Sequence, residues 1–154
     1  MEYVKTKIIH EVIGKIILNN GQKYNPLSLE IIKNLKNELV FLSKNPKIKV
    51  IIISSNGPGF SAGHDLNELK KNKNDKNFFL ELFNQCSDLM LKIMQLHQPV
   101  IAEVPGIAAA AGCQLVASCD LAIASETSLF ITPGVNIGLF CSTPMVAVSR
   151  SLGR

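Results

Sequence analysis

The sequence contains no tryptophan, two tyrosines and only two arginines, Arg150 and Arg154, among its 16 basic residues. Proteins that hold nucleic acid interleave basic side chains with aromatic rings on one surface. Here the other basic residues are lysines scattered among asparagines. A compositional bias toward Lys and Asn explains the net charge of +4 no less well than binding to an anionic partner would. We therefore expect no nucleic-acid partner, while the charge remains compatible with a phosphate-bearing ligand.

Cysteine pairs at metal-ligand spacing are also missing. No Cys-x-x-Cys motif occurs, and none of the cysteines accompanies a histidine at ligand spacing, so we expect no metal site. Each cysteine lies in an apolar stretch, where it acts as a small hydrophobic side chain, and this use is typical of a reducing intracellular compartment, mitochondrial or cytoplasmic. The four are Cys86, Cys113, Cys119 and Cys141.

Long hydrophobic runs are absent as well. The uncharged run at residues 104–119 has sixteen residues and includes Pro105 and two glycines. A membrane-spanning helix needs about 20 consecutive apolar residues. We expect no membrane span, and we expect no signal or Arg-rich transit segment before the first predicted strand.

What is present favours one well-packed domain. A length of 154 residues, with 47% apolar and 18% charged residues, predicts a single α/β domain over residues 1–154. Hydrophobic periodicity divides it into strands and helices. Strands are predicted at 4–12, 14–18, 47–54, 100–104, 120–124 and 128–131. Helices are predicted to start at Pro26 and Pro144 and to cover 79–94, where the Phe and Met stripe is expected in the core. An exposed mobile segment is predicted at 67–77 and a loop at 133–140.

The stretch 99–120 is the organising feature. A short apolar strand breaks at Pro105 and Gly106 and enters a run of alanines that becomes helical. Backbone N–H groups at a helix N-terminus lack internal partners and favour negative charge, so this loop suits an anion or oxyanion site. A tightly packed buried helix explains the alanines equally well. A dinucleotide-binding loop needs three glycines, and only Gly106 and Gly112 are available.

A second loop, residues 60–66, also lies between a buried strand and a helix. Asp65 and Glu68 have the spacing of a capping box, so Asp65 is predicted to be a helix N-cap. The ring of His64 is a candidate base, but its backbone N–H, beside the flexible Gly63, is the more informative group.

The sequence FSAGHDL at 60–66, AAGCQL at 110–115 and CDLAIA at 119–124 together resemble the enoyl-CoA hydratase/isomerase (crotonase) superfamily. The segment 133–144 further resembles its enoyl-CoA hydratase domain-containing branch. The resemblance covers essentially the whole chain and implies a ClpP/crotonase-type superhelix of ββα turns. It also implies a homotrimer or dimer of trimers at full length. The C-terminal helices of the family would be missing or truncated here, which leaves an exposed apolar face on the last helix.

The resemblance implies a site for an acyl-CoA or enoyl-CoA thioester, with coenzyme A as part of the substrate and no other cofactor. The thioester oxygen would lie between the backbone N–H groups of His64 and Ala111, and fatty-acid metabolism would be the setting. The residues implied in binding the rest of the ligand are Lys23, for a phosphate, and Ser61, Ala62, Asp65, Leu66 and Gly112.

The sequence departs from the family at two positions. Hydratases of this fold use two glutamates, and the matching positions here are Gln114 and Gly134. Neither side chain exchanges a proton at neutral pH. Three hypotheses follow: an isomerase- or lyase-like enzyme with another acid/base pair, an inactive acyl-CoA-binding or regulatory homologue, or a structural oligomer partner without affinity for coenzyme A. The candidate substitutes are Glu103, Cys141, Ser142, Thr143 and the His64 ring, although Ser142 and Thr143 also suit the cap of the last helix and Cys141 suits the core.

Overall fold

A computed structural model describes residues 2–138 and 140–152. It begins with two antiparallel strands, β1 (Val4–Ile9) and β2 (Ile13–Leu18). The predicted strand 4–12 is too long, because the chain turns at His10 and Glu11, which have φ of 48° and 62°. Consecutive positive φ values suit a hairpin turn whose twist matches the strands.

The first helix, α1 (Leu29–Ser43), begins later than predicted. Ser28, and not a residue next to Pro26, is the N-cap, because its side chain accepts a hydrogen bond from the Ile31 N–H. The apolar stripe of the helix faces the core, as its spacing of three and four residues requires. Its buried members are Ile31, Ile32, Leu35, Leu39 and Leu42.

The remaining strands divide between two sheets. β3 (Val50–Ser55), β5 (Val100–Val104) and β7 (Leu121–Ala124) extend the first sheet in the order β1-β2-β3-β5-β7. β4 (Gly59–Ser61), β6 (Ile107–Ala109) and β8 (Phe130–Ile131) form a second, parallel sheet. From β3 onward, each successive pair of strands therefore places one strand in each sheet. This arrangement confirms the predicted α/β superhelix of ββα turns.

Four further helices follow the strand pairs: α2 (Leu66–Lys71), α3 (Lys76–Met94), α4 (Ala111–Ala117) and α5 (Ser142–Ser151). The segment 67–77 is mostly exposed, as predicted, but much of it is helical because Asp65 and Asp75 cap α2 and α3. The predicted loop at 133–140 contains a 3₁₀ helix, Pro133–Ile137, while Leu139 lies outside the described residues. α5 starts before Pro144, and its N-cap, Cys141, makes no side-chain capping bond.

The core lies between the large sheet and helices α1 and α3. The predicted stripe of α3 is only partly buried: Leu82, Leu89 and Ile93 are in the core, whereas Phe83 and Met94 are 49% and 56% exposed. Placing those two side chains in the core was wrong, because their face of α3 has no described helix fully covering it.

The far end of the fold exposes apolar surface. All four residues of β7 are exposed, and so are both residues of β8. Val146 of α5 is also half exposed. None of the helices among residues 2–138 and 140–152 is long and apolar enough to cross a membrane.

Candidate functional site

The two loops singled out in the sequence lie against each other. Gly63 has φ of +85°, and a Cβ added there would lie 2.9 Å from the Ala109 carbonyl oxygen and 3.1 Å from the Ala111 nitrogen. Any side chain at this position would push the second loop away. Gly63 therefore allows the backbone next to His64 to approach the backbone of Ala111.

A second close contact joins the loops one residue further along. A Cβ on Gly112 would lie 2.4 Å from the Ser61 carbonyl oxygen and 2.8 Å from the Ser61 Cβ. Ser61 is fully buried, and its hydroxyl donates to the Asn25 carbonyl and accepts from the Gly63 N–H. Its side chain thus fixes the first loop from within the protein.

An isolated parallel β-bridge between His64 and Leu27 determines the direction of the His64 N–H. The Leu27 N–H donates to the Gly63 carbonyl at 2.7 Å, and the Asp65 N–H donates to the Leu27 carbonyl at 3.4 Å. In a parallel bridge of this kind the middle residue points its own N–H away from the partner strand. Among the described residues, the His64 N–H has no acceptor.

The second loop presents Ala111 at the first position of α4. Ala110 before it has φ of 49° and ψ of −119°, an uncommon conformation for a residue with a Cβ. It is held there because its N–H donates to the Ile131 carbonyl and its carbonyl accepts from the Gln114 N–H. The Ala111 N–H, one of the donors that a helix leaves unpaired, finds no acceptor in the described part of the chain.

Asn25 supports the first loop, and the sequence analysis did not identify it. This side chain is 1% exposed, its amide donates to the carbonyls of Asn56 and Gly59, and its oxygen accepts from the Asn20 N–H. The only sequence signal was an Asn-Pro pair, which marks a turn without indicating its partners.

Both loops line one cavity of about 380 Å³. The cavity brings together three predicted site residues, His64, Ala111 and Gln114, and it is bounded on the other side by the start of α5. No carboxylate is found among the lining residues that the structure describes. The remaining lining residues are Phe83, Cys86, Ser87, Ala110, Phe140, Cys141, Ser142, Thr143 and Pro144.

The imidazole of His64 is fixed on two sides. Its Nδ1 lies 3.4 Å from the Leu27 carbonyl oxygen, and its ring packs edge-on against Phe83 with centroids 5.5 Å apart. Burial lowers the pKa of His64, and the hydrogen bond to Leu27 opposes this only in part. The ring is therefore neutral at pH 7.

The other predicted residues of the first loop are placed differently. Asp65 accepts hydrogen bonds from the N–H groups of Asn67 and Glu68, which confirms it as the N-cap of α2. The capping box is incomplete, because the Glu68 carboxylate accepts from the Leu29 N–H of α1 instead. Ala62 is exposed, and Leu66 is 75% exposed.

The remaining candidates lie outside the cavity. Lys23 is exposed at the end of a 3₁₀ helix, Gly21–Lys23, in the segment that leads to Leu27. Gly134 is buried in the 3₁₀ helix after β8. Glu103 pairs with Lys15 across the large sheet and is not a lining residue. Within residues 2–138 and 140–152, no three His, Cys, Asp or Glu side chains cluster as metal ligands would.

Comparison with known proteins assigns this arrangement to a family. The family model described as enoyl-CoA hydratase/isomerase matches residues 9–154. The chain is 54% identical to the zebrafish (Danio rerio) enoyl-CoA hydratase domain-containing protein 3, mitochondrial, over 92% of this chain and 49% of the relative. The human protein of the same name is 51% identical over 92% and 46% of the two chains.

Solved structures give the same assignment. An enoyl-CoA hydratase from Mycobacterium smegmatis has a TM-score of 0.93 and 40% identity, covering 100% of this chain and 60% of that chain. The human enoyl-CoA hydratase domain-containing protein 3 has a TM-score of 0.90 and 48% identity, covering 97% and 58%. The chain spans about half the length of the curated relatives it matches. On its fold, its two loops and these matches, the chain belongs to the enoyl-CoA hydratase/isomerase (crotonase) family.

Proposed function

We propose that the chain binds an acyl-CoA or enoyl-CoA thioester, with the thioester oxygen between the N–H groups of His64 and Ala111. The observation that carries this proposal is that both donors lack an acceptor in the described chain and lie on loops in contact at one cavity. Charge accumulates on this oxygen when a proton leaves the adjacent carbon or a nucleophile adds to the double bond. Preorganised donors stabilise that charge, and each is worth roughly 10²–10³ in rate.

The coenzyme A body would cross the exposed side of the first loop. Ala62 and Leu66 are available there, Asp65 lies between them at the start of α2, and Lys23 is available for a phosphate. Buried Ser61, by contrast, contributes through the loop that it fixes, and Gly112 contributes by allowing the loops to approach.

Ordinary hydration is not the reaction we propose. Gln114 lines the cavity but cannot transfer a proton, and Gly134 has no side chain. The missing carboxylates favour a second candidate, an acyl-CoA-binding or regulatory protein without proton chemistry. The relatives named as mitochondrial support a mitochondrial location for this protein too. A role in fatty-acid metabolism and a homotrimeric assembly are extended to it on family membership alone.

Binding through the carbonyl is tested with two ligands that differ in one atom. Isothermal titration with butyryl-CoA and with S-butyl-CoA, a thioether without the carbonyl oxygen, isolates the contribution of that oxygen. Two hydrogen bonds of about 1 kcal/mol each predict roughly 30-fold tighter binding of the thioester. A ¹³C-labelled carbonyl should also show a lower infrared stretching frequency when bound.

The donor is tested by Ala111→Pro, which removes an N–H at a first helical position, where proline is tolerated. It should reduce the preference for the thioester from roughly 30-fold to roughly 5-fold, because the His64 N–H still donates one hydrogen bond of about 1 kcal/mol. Lys76→Pro, at the first position of α3 and outside the cavity, is the matched control and should retain the preference. Equal affinity of the unmodified protein for both ligands would refute the proposed oxyanion site, and binding of neither ligand would refute the proposed function.

A further inference from the structure

The cavity contains a proton-transfer group that the family's usual glutamates do not account for. Among the described lining residues, three side chains can titrate: His64, Cys86 and Cys141. Burial raises the pKa of Cys86 to about 11, so this thiol stays protonated at neutral pH. Histidine has a reference pKa of about 6.5, and burial lowers the pKa of His64 from that value. His64 is therefore the group whose basic form predominates at pH 7.

The hydrogen bond to Leu27 determines which ring nitrogen is free. A carbonyl oxygen only accepts, so the Nδ1 that lies 3.4 Å from it carries the proton. In the neutral ring, Nε2 is then the nitrogen with the lone pair. Phe83 packs against the ring and restricts its rotation. His64, whose ring carries this lone pair, lines the same cavity as Ala111, the residue that supplies the second proposed N–H donor.

We propose that the His64 imidazole is the acid/base group that removes and returns a proton at the carbon next to the thioester. This proposal rests on the proposed function. The Nε2 lone pair takes the proton, and the C–H electron pair moves to form the C=C bond of the enolate. The carbonyl π electrons move to the oxygen between the two N–H groups. The imidazolium then returns a proton to the same carbon or to the next position of a conjugated chain. No oxidant, reductant or metal is needed for this step.

The surroundings of the ring favour this role. A charged neighbour would shift the ring toward one protonation state, but the carboxylate of Asp65, the next residue in the sequence, accepts hydrogen bonds from the Asn67 and Glu68 N–H groups at the start of α2. From α3 the titratable group facing the cavity is Cys86, and from the start of α5 it is Cys141. From α4 the cavity receives the neutral amide of Gln114. A general base with a pKa near the working pH contributes typically about 10²–10⁴ in rate.

The test measures deuterium exchange into the α-carbon of butyryl-CoA in D₂O by mass spectrometry. His64→Gln keeps the backbone N–H but removes the base, and it should lower the exchange rate by about 10²–10⁴ with affinity for butyryl-CoA retained. His97→Gln, at an exposed histidine outside the cavity, is the matched control and should exchange as the unmodified protein does.

A pH profile gives a second readout that does not depend on any variant. Exchange should be lost as pH falls, with a midpoint below 6.5, because burial lowers the pKa of His64 from that value. The midpoint should equal the pKa of His64 read from the histidine Cε1–H signals in proton NMR. A different midpoint, or unchanged exchange in His64→Gln, would overturn the proposal. Binding without any exchange would overturn it while the proposed function stands, and failure to bind butyryl-CoA would overturn both.

Discussion

Replacing Gly63 by alanine should destabilise the protein for two separable reasons. Gly63 has a positive φ of +85°, which a residue with a Cβ rarely adopts, and the new Cβ would lie 2.9 Å from the Ala109 carbonyl oxygen. Two other glycines separate these effects. Gly138 has φ of +76° with nothing within 4 Å of the added Cβ. At Gly112 the added Cβ would contact the Ser61 carbonyl oxygen, but φ is not positive.

The expected losses in the free energy of unfolding follow from the environments of these three glycines. A left-handed conformation costs a residue with a Cβ about 1–2 kcal/mol, which is the whole effect expected for Gly138→Ala. Overpacking costs typically about 1–3 kcal/mol, which is the effect expected for Gly112→Ala. Gly63→Ala combines both and should lose about 2–5 kcal/mol. This is a large share of the 5–15 kcal/mol by which a domain is typically stable.

Urea unfolding followed by circular dichroism measures the three losses, and titration with butyryl-CoA measures binding. Gly63→Ala and Gly112→Ala should both weaken binding, because each separates the loops that carry the two N–H donors, whereas Gly138→Ala should not. A loss for Gly63→Ala no greater than that for Gly138→Ala would show that the second loop gives way. Our account of the close approach would then be refuted.

Four further substitutions or treatments test other parts of the structure. Asn25→Ala should cost about 2–4 kcal/mol in urea unfolding, because it removes three hydrogen bonds and leaves the Asn56 carbonyl and the Asn20 N–H without their side-chain partner; a loss under 1 kcal/mol would contradict this. Asp65→Ala should cost about 0.5–2 kcal/mol by the same measurement through the lost cap of α2, and an unchanged midpoint would exclude a capping role. With a pKa of about 11, Cys86 should be almost entirely unreactive toward a disulfide reagent at pH 8 until the protein is unfolded, and rapid labelling of the native state, located by mass spectrometry, would contradict its burial. Ile123→Lys, at a position 65% exposed, should change stability by less than about 0.5 kcal/mol, and a larger loss would indicate that this strand is covered in solution.

The contact between the two loops was predictable because small residues occur in the sequence at the positions where the loops meet. Gly63, Gly112 and the alanines before α4 exclude side chains at the points where the backbones approach. The resemblance to a family added the order of the loops, and the ββα pattern followed from alternating strand and helix signals. Asp65 could be identified as an N-cap because its partners lie two and three residues away.

Other features could not be read because their causes are distant in the chain. The partners of the Asn25 amide are 31 and 34 residues away, so no local pattern marks it. The turn at His10 and Glu11 lacks the glycine or asparagine that usually signals positive φ. Periodicity shows that Phe83 and Met94 lie on apolar faces of α3, but burial depends on what packs against those faces.

The placement of the loops after β4 and β6 has a consequence for how this protein's chemistry can change. The two strands are hydrogen-bonded neighbours, so the distance between the loops is set by the spacing between strands, about 4.8 Å. β8 is the next neighbour, and Gly134 follows it. The segments that follow these three neighbouring strands all contribute residues to the cavity: His64 after β4, Ala111 after β6 and Cys141 after β8. A side chain that follows one strand can be substituted while the hydrogen bonds of the sheet keep the other two strands in register. The reacting side chains can therefore be replaced one at a time without moving the two backbone N–H donors.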